Sequence, residues 1–163
     1  MNNAILSNRK SLPHRPPVAV AQYATAAAFF ISFCVNRGKY GIHGSDIGRR
    51  GPLVGNQAVK LLCTVQHYAS IGQLRPLAAI VMPDHVHLIV MESETVSFAK
   101  VIPRIKAWVA KEQGIMWQRD FFDHRIRSEE SLSEKMVYLA ANPVRKQLCA
   151  TPADWPYYMR WRW

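Results

Sequence analysis

The sequence predicts a single α+β domain, an antiparallel sheet of the ferredoxin-like kind with helices packed on one face. The pattern of apolar, cap and turn residues gives the order strand, helix, strand, strand, helix, strand, helix. The two central strands follow each other across Pro83-Asp84, a pair typical of a tight turn. A chain of 163 residues is long enough for one domain with a real core and too short for two ordinary ones.

The first half of the chain provides one strand, one helix and the central pair of strands. Aromatic and β-branched residues over 29–35 predict the first strand. A helix is expected from the capping residue Asn56 to just before Gly72. The apolar runs 77–82 and 87–91 predict the two strands that the turn joins.

The second half is predicted to hold two helices with an extended segment between them. The first helix runs over 97–113, and Pro103 should kink it or mark its first turn. An extended segment over 121–126 follows. The last helix should begin at the cap Ser128 and end at Asn142, because Pro143 disfavours helix at the residue before it.

The N-terminal region has two features that bear on domain organisation. Residues 1–20 are polar, basic and proline-containing, which predicts a flexible basic arm ahead of one domain over 21–163. The uncharged run 18–35 has about the minimum length of a membrane span. Polar residues interrupt it, so we expect the approach to a core strand and no membrane partner.

The charge of the chain favours a polyanion as partner. The formal net charge is +10, and residues 1–83 hold nine Lys or Arg against one acid, Asp46. Six of the eight glycines lie over 38–55 among basic residues, which predicts a long loop. Three cysteines without a CxxC spacing indicate neither a disulfide framework nor a zinc ribbon, so a reducing cytosol is expected.

Two histidines stand two residues apart in the run MPDHVHLIV, which covers residues 82–90. Alternate residues of a strand face the same side, so His85 and His87 should project together, away from Val86 and Leu88. Two imidazoles supply part of a metal coordination sphere, and a third ligand must come from elsewhere. A pair of hydrogen-bonded structural histidines is an equally good interpretation of this motif alone.

Tyr138 and Asn142 add a second element to this constellation. They lie one helical turn apart, more than 100° from the centre of the core stripe of the last helix, which is formed by Leu132, Met136, Leu139 and Ala140. A phenol and an amide oxygen could therefore act on one target. A divalent ion that polarises a phosphate would make attack by a tyrosine plausible.

Several stretches of the chain resemble one known family. MPDHVHLIV resembles the histidine, hydrophobic, histidine motif of the single-tyrosine HUH transposases. The run YLAANPVR over 138–145 resembles the tyrosine-helix motif of the branch called REP-associated tyrosine transposases. WQRDFFDHRIR over 117–127 and DWP over 154–156 are similar to two further stretches of that branch. Lys146-Gln147 stands where an Ala-Gly pair is commoner in the family.

The resemblance implies a fold like the RNA-recognition module, with the catalytic tyrosine on a C-terminal helix. It further implies a Mg²⁺ or Mn²⁺ ion and the nicking and rejoining of single-stranded DNA, folded as hairpins of repetitive extragenic palindromes (REP). By motif position, His85, His87 and Asn142 would be the metal ligands and Tyr138 the nucleophile. Such an enzyme would act as a monomer or homodimer in a bacterial-type cytosol, at the nucleoid.

Basic residues of the second half are candidates for DNA binding. On the predicted helix over 97–113, Lys111 completes a basic stripe with Lys100 and Arg104. The candidates from this helix are Lys100, Arg104 and Lys106. With Arg127 and Arg145 these side chains would hold backbone phosphates, an interaction that weakens with salt.

Two other functions fit parts of the pattern. A nucleic-acid-binding module of the RNA-recognition type would use the basic surface and keep the histidines structural. A histidine-triad nucleotide hydrolase would need a third alternating histidine, and position 89 is Ile.

Overall fold

The computed structural model describes residues 27–92 and 96–162. Within these ranges the strands are β1 (Ala27–Cys34), β2 (Arg75–Met82), β3 (His85–Glu92), β4 (Phe122–Ile126) and β5 (Tyr158–Arg160), and the α-helices are α1 (Asn56–Ser70), α2 (Phe98–Gln113) and α3 (Glu129–Arg145). Short 3₁₀ turns occur at Arg37–Tyr40, Gly44–Asp46 and Pro152–Asp154. The predicted N-terminal arm, residues 1–20, lies outside the described residues.

The strands form one antiparallel sheet in the order β4-β1-β3-β2-β5. Both β1 and β2 run antiparallel to β3, which lies between them, and β4 runs antiparallel to β1. The connections through α1 and α2 therefore each join two parallel strands of the sheet. Connections of this kind are nearly always right-handed, which places both helices on the same face. The predicted ferredoxin-like α+β fold is confirmed.

The face under α1 and α2 is closed by apolar side chains. Every second residue of β3 faces it, and all three of Val86, Leu88 and Val90 are fully buried. Leu61 and Val65 of α1 pack there, and so do several residues of α2: Phe98, Val101, Ile102, Ile105 and Val109. We call this side the closed face.

The opposite side of the sheet is covered only in part, by α3, so the prediction that the helices pack on one face holds for α1 and α2 but not for α3. We call this side the open face. Its smaller core contains Phe30, Ile80 and Ile89 from the sheet, with Leu139 from the helix, and all four side chains are buried. The rest of α3 is less buried than α1 or α2, since Leu132 and Met136 are only partly covered. Part of the open face is therefore accessible to solvent, whereas the closed face is covered by α1 and α2.

The predicted elements correspond to observed ones, with three differences. The last helix was predicted to end at Asn142, but α3 continues through Pro143 to Arg145. Pro103 likewise lies inside α2. Strand β5 was not predicted. It pairs with β2, and Trp161 just beyond it donates a hydrogen bond to Gln66 of α1 at 2.6 Å.

No helix in the described ranges 27–92 and 96–162 is long and apolar enough to cross a membrane. The part of the apolar run 18–35 that the structure describes is strand β1 and the residue after it.

Candidate active site

The two histidines lie side by side on the open face, as predicted. The centroids of the His85 and His87 rings are 4.6 Å apart. Val86 and Leu88 point into the closed face, so the alternation of β3 divides the strand into a polar side and an apolar side. The position that a third alternating histidine would occupy is Ile89, fully buried beneath α3.

His85 is oriented by a buried carboxylate. Its Nδ1 is 2.6 Å from Oδ1 of Asp84, a residue with no solvent-exposed surface. The second oxygen, Oδ2, accepts a hydrogen bond of 2.6 Å from Nε of Arg37. Burial by itself raises the pKa of the Asp84 carboxyl, but the hydrogen bonds and charges of His85 and Arg37 outweigh it and hold the pKa below its ordinary value. Asp84 is therefore an anion that accepts from both neighbours.

His87 is oriented by a neutral partner on the neighbouring strand. Ser32 of β1 lies directly opposite it, and the serine hydroxyl is hydrogen-bonded to His87 Nδ1. Burial, and to a lesser degree the charge of His85, lowers the pKa of His87 to about 3 against the opposing effect of Asp84. The ring is therefore neutral near pH 7, which is the form that binds metal ions.

Both histidines thus use the same ring nitrogen within the protein. With each Nδ1 engaged by Asp84 or Ser32, each Nε2 is the nitrogen that remains for a ligand. Metal-binding histidines ordinarily have this arrangement, because a hydrogen bond at one nitrogen fixes the tautomer and the orientation of the other. The two rings are inclined to each other by 67°, so the pair is not stacked.

Tyr138 projects from α3 beside this pair. Its side chain is 41% exposed, and its ring centroid lies 6.1 Å from that of Phe30 and 6.4 Å from that of His87. The ring therefore rests on the sheet by its edge, while part of it stays accessible to a substrate. The sequence prediction that this tyrosine lies off the packing stripe agrees with its exposure.

Two cations flank the Tyr138 ring. The Arg145 guanidinium carbon lies 4.9 Å from the ring centroid, and the Lys135 Nζ lies 5.8 Å from it. Lys135 is also 5.7 Å from the centroid of Phe30. Cations at these distances are attracted by the ring quadrupole, and they give this edge of the open face a positive potential.

Asn142 lies one turn after Tyr138 and is 94% buried, since only 6% of its surface is exposed. Its Nδ2 donates to the backbone carbonyls of Tyr138 at 3.0 Å and Leu139 at 3.4 Å. Pro143 has no N–H to offer the Leu139 carbonyl, so the Asn142 side chain supplies the missing donor. Because the Asn142 side chain replaces this backbone donor, α3 can continue through Pro143. The same hydrogen bonding also directs the amide oxygen away from the helix backbone.

The side chains around the histidine pair limit which ligands a metal ion could have. Among residues 27–92 and 96–162, no three His, Cys, Asp or Glu side chains come together as a metal cluster. A site built on His85 and His87 therefore needs a ligand of another type, and the Asn142 amide oxygen is the candidate that α3 offers. Two imidazoles and one amide oxygen are a mixed nitrogen and oxygen set, of a chemistry that a divalent ion such as Mn²⁺ accepts when water or substrate oxygens complete its coordination.

The predicted DNA-binding residues do not form one surface. Arg145 lies at the site, and Arg127 is exposed just after β4. Lys100 and Arg104 are exposed on α2, which packs against the closed face, so the sheet separates them from the histidines. The predicted basic stripe is real as a helix face, but it is on the wrong side of the sheet to act with the histidine pair.

Lys106 is not on a binding surface at all, which corrects its predicted role. Its side chain is buried, and its Nζ donates to the backbone carbonyls of Gln118, Arg119 and Asp120 at 2.8, 3.1 and 3.0 Å. An ammonium group has three N–H donors, and all three are used. Lys106 therefore anchors the segment that leads into β4.

Sequence reasoning missed several residues of the site. Asp84 was assigned only to the turn, although its position beside His85 was a usable signal. Ser32 faces His87 from another strand, and Arg37 reaches Asp84 from 47 positions away in the chain. Lys135 could have been found from its helical spacing of three residues to Tyr138.

The glycine-rich loop supports the turn that carries the histidines. A Cβ on Gly51 would lie 2.1 Å from the carbonyl oxygen of Pro83, so only glycine permits this approach. Leu53 N–H also donates to that carbonyl at 3.0 Å. At its other side the loop reaches the end of α3, where Arg49 donates to Oε1 of Gln147 at 3.1 Å. One loop thus contacts both elements of the site.

Comparisons with known proteins agree with the resemblance seen in the motifs. A curated protein of Haemophilus influenzae, provisionally named a REP-associated tyrosine transposase, is 29% identical in an alignment 112 residues long that covers 58% of this chain. The alignment spans 61% of that relative's length. No protein-family model matches the sequence.

One solved structure confirms the fold. A REP-associated tyrosine transposase bound to a REP hairpin superposes with a TM-score of 0.67 at 22% identity, over 82% of this chain and 76% of that one. A transposase candidate from Deinococcus radiodurans gives a TM-score of 0.49 at 17% identity, over 74% of this chain and 94% of that one, which is too low to establish a shared fold.

Proposed function

We propose that this chain is a REP-associated tyrosine transposase, an enzyme that nicks and rejoins single-stranded DNA of palindromic, hairpin-forming sequences. The observation that carries the proposal is the position of the Tyr138 ring, 6.4 Å by centroids from the ring of His87, which itself lies 4.6 Å from that of His85. The motif resemblance and the curated relative support the same activity. The hairpin bound to the superposed transposase suggests the substrate.

His85, His87 and Asn142 would hold a Mg²⁺ or Mn²⁺ ion. When bound, such an ion supplies positive charge to the nonbridging oxygens of a phosphodiester. The protein contributes the ligand orientation: Asp84 and Ser32 fix the two imidazoles, and the backbone of α3 fixes the Asn142 amide. None of these groups has to reorganise when the ion and the substrate arrive, which favours binding.

Tyr138 would be the nucleophile. Its phenolic oxygen attacks the scissile phosphorus and loses its proton to solvent, while the bond from phosphorus to the 3′-oxygen breaks and that oxygen takes up a proton. The products are a 5′-phosphotyrosine and a free 3′-hydroxyl. The phosphodiester energy is kept in the covalent link, so a new 3′-hydroxyl can reverse the reaction and join a strand without ATP.

The charges around Tyr138 suit this step. Arg145 and Lys135 lie 4.9 and 5.8 Å from the centroid of the ring and would attract the phosphates next to the scissile bond. Arg127 would add a contact beyond β4. Tyr138 and the histidines belong to one chain, so a monomer would have a complete site, and the chain would act on DNA in the cytosol.

The test is the detection of a covalent protein–DNA adduct. The protein is incubated with a labelled single-stranded hairpin and Mn²⁺ or Mg²⁺, and the products are separated under denaturing conditions. We expect a slower-migrating labelled protein that depends on the metal and is lost in Tyr138→Phe. Tyr68→Phe is the matched control, because Tyr68 lies in α1 on the closed side of the sheet, and it should retain the adduct.

Two results would contradict the proposal. No adduct from the parent protein, across both metals and several hairpins, would remove the nuclease. An adduct that persists in Tyr138→Phe would assign the nucleophile to another residue. Hairpin binding without an adduct would instead indicate a nucleic-acid-binding module.

A further inference from the structure

Strand β4 carries an aromatic residue on the open face that the core does not use. The side chain of Phe122 is 62% exposed, although the last residue of the same strand, Ile126, is buried. Helix α3 starts three residues after Ile126 and covers that end of the strand, leaving Phe122 uncovered. Single exposed apolar residues are ordinary on protein surfaces, so the position of this one has to supply the argument.

The register of the sheet places Phe122 in line with the histidine site. Phe122 lies directly opposite Ser32, and Ser32 lies directly opposite His87. Residues that face each other across antiparallel strands project to the same side of the sheet. Ser32 is hydrogen-bonded to His87, so Phe122 faces the same space, two strands or about 10 Å from the histidine.

His124 extends this row toward Tyr138. It lies opposite Phe30, whose ring is 6.1 Å by centroids from that of Tyr138. His124 is exposed. Its two neighbours in the strand, Asp123 and Arg125, project to the other side. Phe122 and His124 are therefore two exposed aromatic side chains on the same side of β4, at the edge of the site. We call this pair the β4 platform.

The charges of the site lie across from this platform. The two cations against Tyr138, Arg145 and Lys135, come from α3, whereas the platform comes from the edge strand of the described sheet. A single nucleic-acid strand has anionic phosphates along one side and bases with flat, weakly polar faces along the other. These two sides match the cations of α3 and the aromatic residues of β4. With the phosphates toward α3, the bases would face β4.

We propose that Phe122 and His124 stack on the bases next to the nucleotide on which Tyr138 acts. The inference rests on the proposed function for the location of that nucleotide. Stacking on an aromatic side chain tolerates every base, because every base has a π-face. The platform would therefore hold the strand flat across the sheet without selecting a sequence, and recognition of the hairpin would be left to other parts of the chain.

The experiment measures DNA binding in the absence of chemistry. Fluorescence anisotropy of labelled oligothymidylate, about twenty nucleotides long, is recorded in low salt with EDTA, for the full-length protein. We expect Phe122→Ala to bind about 5- to 100-fold more weakly, the range that base–aromatic stacking gives, and Phe122→Trp to bind at least as well as the parent. Val137→Ala is the matched control, because Val137 is an exposed apolar residue of α3 that none of these contacts involves, and it should leave the affinity unchanged.

A second oligonucleotide separates stacking from a general effect on the surface. In an abasic strand of equal length the phosphates remain and the bases are absent. The parent should lose affinity for it, while Phe122→Ala should lose much less, since the stacking partner is already gone. The slope of affinity against salt should be the same in Phe122→Ala as in the parent, because no phosphate contact is removed. Arg145→Ala should reduce that slope.

These outcomes are independent of the covalent adduct. A Phe122→Ala protein that binds as the parent does, or a parent without measurable affinity for the oligothymidylate, overturns the platform even if Tyr138 forms an adduct. An affinity loss in Phe122→Ala with no adduct in any protein would leave the platform standing and remove the proposed chemistry. If Phe122→Ala changes self-association and not DNA affinity, the exposed edge belongs to a protein contact and the inference is wrong.

Discussion

The two faces of the sheet are built from the same strands and differ in almost everything else. On β3 the residues Val86, Leu88 and Val90 enter a core closed by two helices, whereas His85 and His87 enter a space that one helix covers in part. Alternation along a strand makes this division possible, since neighbouring residues experience opposite environments. Along β3, residues of the main core therefore alternate one by one with residues of the candidate site.

The polar groups of the open face are compatible with burial because each has a partner. Asp84 accepts from Arg37 and is paired with His85, His87 is hydrogen-bonded to Ser32, and Asn142 donates to the backbone of its own helix. Buried polar atoms without partners would each cost about 1–3 kcal/mol. The closed face obtains its stability from apolar area instead, so mutations should affect the two faces differently.

The largest expected change in stability comes from a substitution on the closed face. Leu88→Ala removes a fully buried side chain and should lower the free energy of unfolding by about 2–5 kcal/mol, because the cavity is only partly refilled. Denaturant unfolding followed by circular dichroism measures it. Val137→Ala, at an exposed position of α3, should change stability by no more than about 0.5 kcal/mol. Equal effects of the two substitutions would refute the assignment of the main core to this face.

The second prediction concerns ligand orientation on the open face. Asp84→Asn keeps the side-chain shape but removes the charge that orients His85, and it should weaken Mn²⁺ binding about 10- to 100-fold. Titration calorimetry measures the affinity, and ¹⁵N NMR of the metal-free protein should show a larger share of the other His85 tautomer. Asp46→Asn, at an exposed ion pair with Arg50, should leave both unchanged. An unchanged affinity in Asp84→Asn would mean that His85 needs no orienting partner.

The third prediction is a pH dependence of stability from His87. This histidine has a pKa near 6.5 in the unfolded chain and of about 3 in the fold, so the unfolded state binds more protons between those values. Stability should therefore fall as the pH is lowered from about 6.5 toward about 3, with a contribution from His87 of roughly 2 kcal/mol between about pH 7.5 and about pH 5.

Comparison with His87→Gln isolates this contribution from those of the other histidines. Unfolding free energies of both proteins are measured across the pH range, and the parent should lose more stability on acidification than the variant. Parallel pH profiles would show that burial of His87 does not keep it neutral.

The smallest expected effect lies where the open-face helix ends. Gln147 has φ of 58°, in the left-handed region that favours glycine, and its N–H bonds to the Val144 carbonyl in the last turn of α3. Gln147→Gly should raise the unfolding free energy by about 0.5–1 kcal/mol despite the loss of the contact from Arg49. Lys60→Gly, at an exposed helical position of α1, should lower it by about 1 kcal/mol. A loss of stability in Gln147→Gly would show that the Arg49 contact outweighs the backbone strain.

Much of the fold was predictable because its signals are local. The hairpin of β2 and β3 follows from two apolar runs joined by Pro83-Asp84, and α1 follows from its apolar spacing. The predicted cap of α1 was wrong by one residue, since Asn56 is the first residue of the helix and its N-cap is Gly55. The common direction of His85 and His87 needed only the period of a strand. The position of Tyr138 off the core stripe needed only the period of a helix.

Other features depend on contacts between distant parts of the chain. The predicted end of α3 at Asn142 was wrong. The helix continues to Arg145, because the side chain of Asn142 replaces the donor that Pro143 lacks. Lys106 has the sequence signature of a surface lysine, yet three carbonyls of a later segment surround its ammonium group. Strand β5 has only three residues and exists because the edge of β2 is available to it.

By itself the sequence determined the alternation, the helix faces and the residue types that metal and phosphate chemistry require, because covalent geometry fixes which neighbours share a side. Three features depend on tertiary packing. Helix α3 covers the open face, and Ser32 and Arg37 provide the hydrogen bonds around the histidines. The basic stripe of α2 lies on the closed side of the sheet, away from the histidines. The side on which a side chain projects follows from its position in its own helix or strand. The partner that it meets depends on how distant helices and strands pack.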